Sequence, residues 1–442
     1  MDLKNREEIL NEFINFLKLP SISATGEGIE ETAFYLRDLM NRFGIKGEVK
    51  KTKGHPVLIG EVKVKNAKRT ILFYNHYDVQ PVDPVNEWKF SPFSAKIIGD
   101  RIYARGSSDN KGTLIARLFA VKELMERGEL GINVKFLFEG EEEIGSPNLE
   151  EFVKENAGEI RADSVVMEGS TLDLKGRPQI VLGVKGLVYI QLDLETGERD
   201  LHSSNAPIVY NPAWLLIKIL NTMIDEKGKI LIKGFYEDVR ELGREFEELI
   251  EKYDLDVEEF KKALGAKELK YTDRLKVVKA LFTEPTCNID GLYSGYIGEG
   301  SKTIVPRKAF AKLDFRLVPD QDPRKILELI VNHLRENGFR GDIKVLGLER
   351  PVRTSPNLPV VKAMVESARI VYNVEPIIIP NSAGTQPMGL FTHVAKIRDA
   401  VSAIGVGDPY SNAHAPNESI RIENLFKAIQ HTMEFIRIYE KY

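Results

Sequence analysis

Apolar positions recur at helical spacing near both ends of the chain and at strand spacing between them. In residues 6–18, Ile9, Leu10, Phe13, Ile14 and Leu17 form a helical stripe that Pro20 stops. Ala33, Leu36, Leu39, Met40 and Phe43 repeat the pattern over 29–43, with Gly44 as the C-cap. Strand-like runs follow at 57–64 and 70–75, then a helix from Gly112 to Arg127 with Leu114, Leu118, Val121 and Met125 on one face. VKFLFE at 134–139 and DSVVME at 163–168 are further strands. Strands alternating with helices predict a mostly parallel sheet with helices on both faces.

The pattern changes after residue 184. VYIQLDLE at 188–195 and residues 309–318 alternate apolar and polar, as half-exposed antiparallel strands do. Residues 236–270 are rich in Glu, Lys and Arg at helical spacing, which predicts a solvated helical face. Asp322-Pro323 opens a helix through His333, with Asp as N-cap and Pro in the first turn. The α/β pattern resumes with a helix at 358–372, strands at 376–379 and near 400–406, and a helix at 421–440. The fold class predicted is α/β: one domain from residues 1–183 and 352–442, with an α+β domain, residues 184–351, inserted into it.

Composition narrows the function. At 442 residues the chain is long enough for more than one core. A formal net charge of -4, with acids and bases mixed, offers no electrostatic case for nucleic acid or an anionic membrane. The N-terminus, MDLKNREEILNEF, reads as an amphipathic helix rather than a signal peptide, and there is no long apolar run, so a cytoplasmic protein is expected. Cys287 is the only cysteine, which excludes an intrachain disulfide and a thiolate cluster. Any transition metal must be held by His, Asp and Glu.

Candidate chemistry gathers where predicted strands end. TILFYNH ends at His76, and Asp78 follows two residues on, so imidazole and carboxylate share a side of an extended segment. A metal site uses such a pair, with the carboxylate fixing the ring's tautomer; a surface His-Asp pair is the alternative. RIYARGSSDNKG places Asp109 before a helix, as a ligand or a plain N-cap. FLFEGEEEIGS places Glu141, Glu142 and Glu143 after a strand, as ligands or as acids at the positive end of a helix. Glu168 ends SVVME, and His414 lies between a strand and the last helix. Ligands bind at the carboxyl ends of strands in such sheets. An N/O set of this size suits two divalent ions bridged by one carboxylate, an arrangement that activates a shared water. Of adjacent glutamates, one can bind metal while its neighbour stays free as general base. GYIGEGSKT lacks the residue order of a phosphate loop, and neither G-x-S-x-G nor H-E-x-x-H occurs. His55, His333, His393 and His431 have no acidic pattern around them and are expected to be structural or on the surface.

Six ordered motifs, HYDVQP, YARGSSDNKG, FEGEEEIGS, GVKG with RDLHSS, SKTIVPRK with FRLVP, and AHAPNE, are similar to those of the co-catalytic zinc hydrolases. That family includes carnosinase-like dipeptidases, glutamate carboxypeptidases, aminoacylases and acetylornithine or succinyl-diaminopimelate deacylases, and the chain most resembles the dipeptidase branch. The resemblance implies His76, Asp109 (bridging), Glu143, Glu168 and His414 as ligands of two metal ions, zinc first, with manganese or cobalt as alternatives. It implies Asp78 as the carboxylate orienting His76, Glu142 as general base, and a cis peptide at Asp109-Asn110. It implies that the insert is a lid that also forms a homodimer, with His202 reaching the partner subunit's site to stabilise the oxyanion. Arg316, Thr303 and Thr385 would bind the substrate carboxylate. Glu168 stands where carnosinase-like dipeptidases carry Asp, and NSAGTQP differs from the dipeptidase loop, so both bear on the amino side of the substrate. The function implied is hydrolysis of an amide bond beside a free C-terminal carboxylate, chiefly in short peptides. An N-acyl-amino-acid deacylase is the runner-up, and a non-catalytic binding protein on the same fold is a remote third.

Overall fold

A computed structural model describes Leu3 and residues 5–442, so Met1, Asp2 and Lys4 of the expected N-terminal helix lie outside the described residues. The first helix runs Arg6–Leu17 and the second Ile29–Arg42. An eight-stranded sheet follows the spatial order Lys46–Lys50, Val57–Val62, Asn133–Glu139, Thr70–His76, Ser164–Met167, Asp399–Ser402, Gln179–Val181, Ile377–Ile379. Its central strands, from Asn133–Glu139 to Asp399–Ser402, are parallel, and both flanks include antiparallel pairs. Parallel strands covered on both faces must be apolar throughout, and Ile71–Tyr74 are all buried.

The helix Lys111–Glu126 is buried nearly all round, not along one face as its apolar spacing suggests. It lies beside the strand Thr70–His76 and is covered by the helices Arg6–Leu17 and Ile422–Tyr439. One polar residue on it has a specific task. The buried Arg117 guanidinium donates to the carbonyls of Tyr74 (2.8 Å) and Ala403 (3.2 Å), to Asn75 Oδ1 (2.7 Å) and to the carbonyl of Met167. It thereby ties three neighbouring parallel strands together just below their carboxyl ends. Burial pulls its pKa down to about 9, with the charge of Glu168 opposing.

The second sheet has four antiparallel strands in the order Thr286–Ser294, Lys308–Leu317, Gly186–Glu195, Asp342–Glu349. Val188, Ile190 and Leu192 point to the face covered by the helices Pro212–Leu220 and Pro323–Glu336, which accounts for the alternation in sequence. Asp322 caps the latter helix, accepting the Arg324 N–H at 2.8 Å.

Residues 236–270 are largely solvent-exposed and in part helical, as the charge pattern predicts, with Ile250 the one buried residue of their two helices. The short helices Arg244–Lys252 and Val257–Ala263 precede Arg274–Thr283, and Ile250, Val278 and Phe282 bury against Val181 and Ile379 of the large sheet. Charge density hid these few apolar anchors. The expected strand near 400–406 ends at Ser402, before Ile404 takes a φ of 62°.

His431, on the last helix, is buried, with Nδ1 unpartnered and the ring edge-on to Tyr372. Burial lowers its pKa to about 4. A histidine depressed in the folded state stabilises fully above its unfolded pKa of about 6.5 and loses that contribution as pH falls through the folded value. Urea unfolding should therefore show about 3 kcal/mol lost between neutral pH and pH about 4 that a His431→Leu variant does not lose. An identical acid dependence in that variant would refute the assignment.

Candidate metal centre

The strand Thr70–His76 stops with His76 buried. Its Nδ1 lies 3.1 Å from the backbone carbonyl of Asp78 and 3.5 Å from the Asp78 carboxylate. A carbonyl only accepts, so Nδ1 carries a proton, and Nε2 is the nitrogen that faces the site. The Asp78 carboxylate does something the motif did not suggest. It accepts the backbone N–H groups of Glu142 (3.2 Å) and Glu143 (3.0 Å), locking the turn that presents both acids.

The glutamate run divides its work. Glu141 accepts the His55 N–H at 2.9 Å and the Asn148 side-chain amide at 2.9 Å, a structural role. Glu143 Oε2 lies 3.1 Å from His414 Nε2 and 2.9 Å from Gln80 Nε2. Glu142 Oε2 stands further off, 4.0 Å from His76 Nε2.

Asp109 sits between the two histidines. Its Oδ1 is 3.0 Å from His76 Nε2, and its Oδ2 is 3.1 Å from His414 Nε2. Glu168 Oε2 is 3.6 Å from His76 Nε2 and is buried with no hydrogen-bond partner. The peptide Asp109-Asn110 is cis, as the resemblance implies. Asn110 Nδ2 donates to the Glu168 carbonyl at 2.7 Å, and its Oδ1 accepts from Asn75.

The electrostatics are those of a cation site. Burial would raise the Asp109 carboxyl, yet hydrogen bonds from His414 and His76 hold it well below the usual range. Burial pushes Glu142 up to about 7, opposed by His76 and assisted by Glu143, Asp109 and Asp78. Burial and then Glu142 push Glu168 well above the carboxylate range. Asp109 and Glu143 raise His414 to about 10. Four carboxylates crowd two imidazoles, and among the described residues no Lys or Arg forms an ion pair with them. Donors about 2.0–2.1 Å from a tetrahedral ion lie about 3.3–3.5 Å from one another. The separations around His76, 3.0 and 3.6 Å, bracket that spacing, and those around His414, both 3.1 Å, fall just short of it. His76, Glu142 and Glu168, and His76, Asp109 and Glu143, each lie close enough to share an ion. The residues fit a pair of divalent cations.

Glu418 is the last residue of the AHAPNE motif. It is buried and accepts the N–H groups of Gly106 (2.9 Å), Ser108 (2.8 Å) and Asp109 (3.0 Å), together with Arg105 Nη1 (3.0 Å). Arg105 also donates to the carbonyls of Pro81 and Ala415. This buried pair joins the loops that carry His76, Asp109 and His414. Outer partners of this kind are worth about 10–100-fold in metal affinity. A Glu418→Gln variant should lose metal to a competing chelator about that much more readily; unchanged affinity would limit Glu418 to folding.

The structure brings together two of the expected carboxylate binders. Arg316 Nη1 donates to Thr385 Oγ1 at 2.8 Å, and Nε pairs with Asp314 Oδ1 at 3.1 Å, leaving Nη2 open. His202 and Thr303 are elsewhere, at the strand pair Leu201–His202 and Ile304–Val305. His202 is exposed, its Nδ1 2.9 Å from Ser204 Oγ, and among the described residues neither it nor Thr303 bonds to the metal cluster.

Residues 72–438 match the model of peptidase family M20/M25/M40, a span that holds all these candidate ligands. The chain belongs to that family. An M20 family metallo-carboxypeptidase, Sso-CP2 from Sulfolobus solfataricus, is 63% identical, with a TM-score of 0.96 over 99% of this chain and 100% of that one. The Cys-Gly metallodipeptidase dug1 of Schizosaccharomyces pombe is 26% identical over 97% of this chain and 94% of its own length. The Beta-Ala-His dipeptidase of Rattus norvegicus is 27% identical over 83% of this chain and 76% of its own. This M20 chain therefore shares its whole length with peptidases. Among its described residues no helix is long and apolar enough to cross a membrane.

Proposed function

We propose that this M20 family member hydrolyses the amide bond beside a free C-terminal carboxylate, with short peptides, chiefly dipeptides, as substrates. One observation carries the reading: the two oxygens of Asp109 face two different histidines, each with its own further carboxylate, while Glu142 is the acid furthest from either ring. Two divalent cations, zinc first, would be held by His76, Asp109 and Glu168 on one side and by Asp109, Glu143 and His414 on the other, and would supply Lewis-acid polarisation and an acidified water.

Glu142 takes the proton of the attacking water and passes it to the leaving amine. Asp78 holds the Glu142 backbone so that the carboxylate faces the reacting carbonyl. Arg316 offers its open Nη2 to the substrate carboxylate, with Thr385 and Thr303 as hydroxyl donors. His202 acts on the carbonyl oxygen from the other subunit of a homodimer. The exposed Ile208, Tyr210 and Trp214, which follow His202 in the chain, support an apolar partner surface beside it.

The deacylase alternative uses the same groups and is not favoured, because the relatives described above are peptidases. Turnover of a dipeptide should clearly exceed that of its N-acetylated form, and amidation of its C-terminus should abolish cleavage. Preference for the acetylated form would overturn the dipeptidase reading.

A further inference from the structure

Away from the metal centre, where the inserted sheet rejoins the large one, a cavity of about 700 Å³ opens between residues 319–322 and 350–354 on one side and residues 392–398 on the other. None of the catalytic or metal-binding candidates lines it. Its cations are Arg350, Arg353, Lys396 and Arg398, and its acids are Asp320 and Asp322.

Both acids are already engaged. Asp320 pairs at 3.1 Å with Arg240, which lies outside the cavity lining. Asp322 pairs with Arg350 at 2.6 Å and caps the helix that begins at Pro323. Arg353, Lys396 and Arg398 have no ion-pair partner among the described residues. An adjoining cavity shares Lys396 and Arg398 and is lined as well by Arg69, Arg161, Asp163 and Asp399.

Arg353 is half-buried and held in place. Its Nε donates to the buried Asn381 at 2.5 Å, its guanidinium lies over the Phe246 ring at 5.2 Å, and Asn381 is itself fixed to the Val352 carbonyl at 3.0 Å. Among the described residues neither Nη atom has a hydrogen-bond partner. Burial pulls the guanidinium down to about 10, with Asp320 opposing from a distance. A half-buried cation with no carboxylate in contact gains from an anion that completes it. A guanidinium with both Nη groups free, flanked by two further cations, suits a multiply charged tetrahedral oxyanion.

We propose that this cavity binds a small phosphate-bearing anion through Arg353, Lys396 and Arg398, joining the inserted sheet to the large one at a site separate from the metal centre. The test is calorimetric titration of the metal-loaded protein with inorganic phosphate and, separately, with AMP, on wild type and on a Lys396→Glu/Arg398→Glu variant. Both substituted side chains are exposed, so the variant should fold and keep its dipeptide turnover. Wild type should bind one phosphate per chain saturably, and the variant should bind at least about tenfold more weakly. Tighter AMP binding would identify a phosphorylated metabolite as the occupant, and weaker AMP binding would identify phosphate itself. Absence of saturation in wild type at about 10 mM would overturn the proposal. Binding that survives the charge reversal and competes with dipeptide would also overturn it, since that anion sits on the metals.

Discussion

Replacing Glu142 with alanine should lower kcat by about 10²–10⁴-fold while metal content and affinity stay at wild-type values. The expected separation comes from geometry. Glu142 Oε2 lies 4.0 Å from the nearest imidazole nitrogen, whereas Glu143 and Asp109 approach histidines at 3.0–3.1 Å. Removing the more distant acid leaves both sets of close donors whole, and the Asp78 carboxylate still fixes the turn through backbone N–H groups that survive the substitution. The companion Glu143→Ala variant should instead lose metal, because its carboxylate is the acid partner of His414. Metal analysis beside steady-state kinetics distinguishes the two. If Glu142→Ala retained wild-type kcat, or shed metal as Glu143→Ala does, the base would have been assigned to the wrong residue.

His202→Ala should lower kcat by about 10²–10³-fold, the usual loss when one oxyanion donor is removed. The more decisive result comes from mixing it with Glu142→Ala. Each variant alone lacks one half of a complete site. In a two-fold dimer the mixed species rebuilds one intact site from two chains, so equal mixing and exchange should restore about a quarter of wild-type activity. The exposed His202, which makes no bond to the metal cluster of its own chain, is what motivates this arrangement. A mixture no more active than its components, with subunit exchange verified, would mean that His202 does not act across the dimer.

Much of the metal centre was legible because its donors stand at the ends of short, strongly apolar runs. TILFYNH, FLFE and SVVM could only be buried strands, and a polar residue just beyond a buried parallel strand falls at the sheet edge where ligands bind. The same local pattern was silent on what crosses between strands. Nothing near Glu418 in the chain foretells that its carboxylate gathers three N–H groups of the Gly106–Asp109 loop, about 310 residues away in sequence. Nothing near Asp78 foretells that its carboxylate serves Glu142 and Glu143 while its carbonyl serves His76.

The amino-acid order by itself determined the α/β class, the inserted antiparallel sheet and the chemical type of the site, because burial period and donor type are local properties of the chain. Only the tertiary structure decided how those donors divide. It set the two oxygens of Asp109 toward different histidines, gave the three glutamates three tasks, and joined Arg316 to Thr385. It also buried the Lys111–Glu126 helix on all sides and left Arg353 without a counter-charge. Each of these depends on hydrogen bonds and packing between segments far apart in the chain, where distance and direction, not residue type, decide which partner is met.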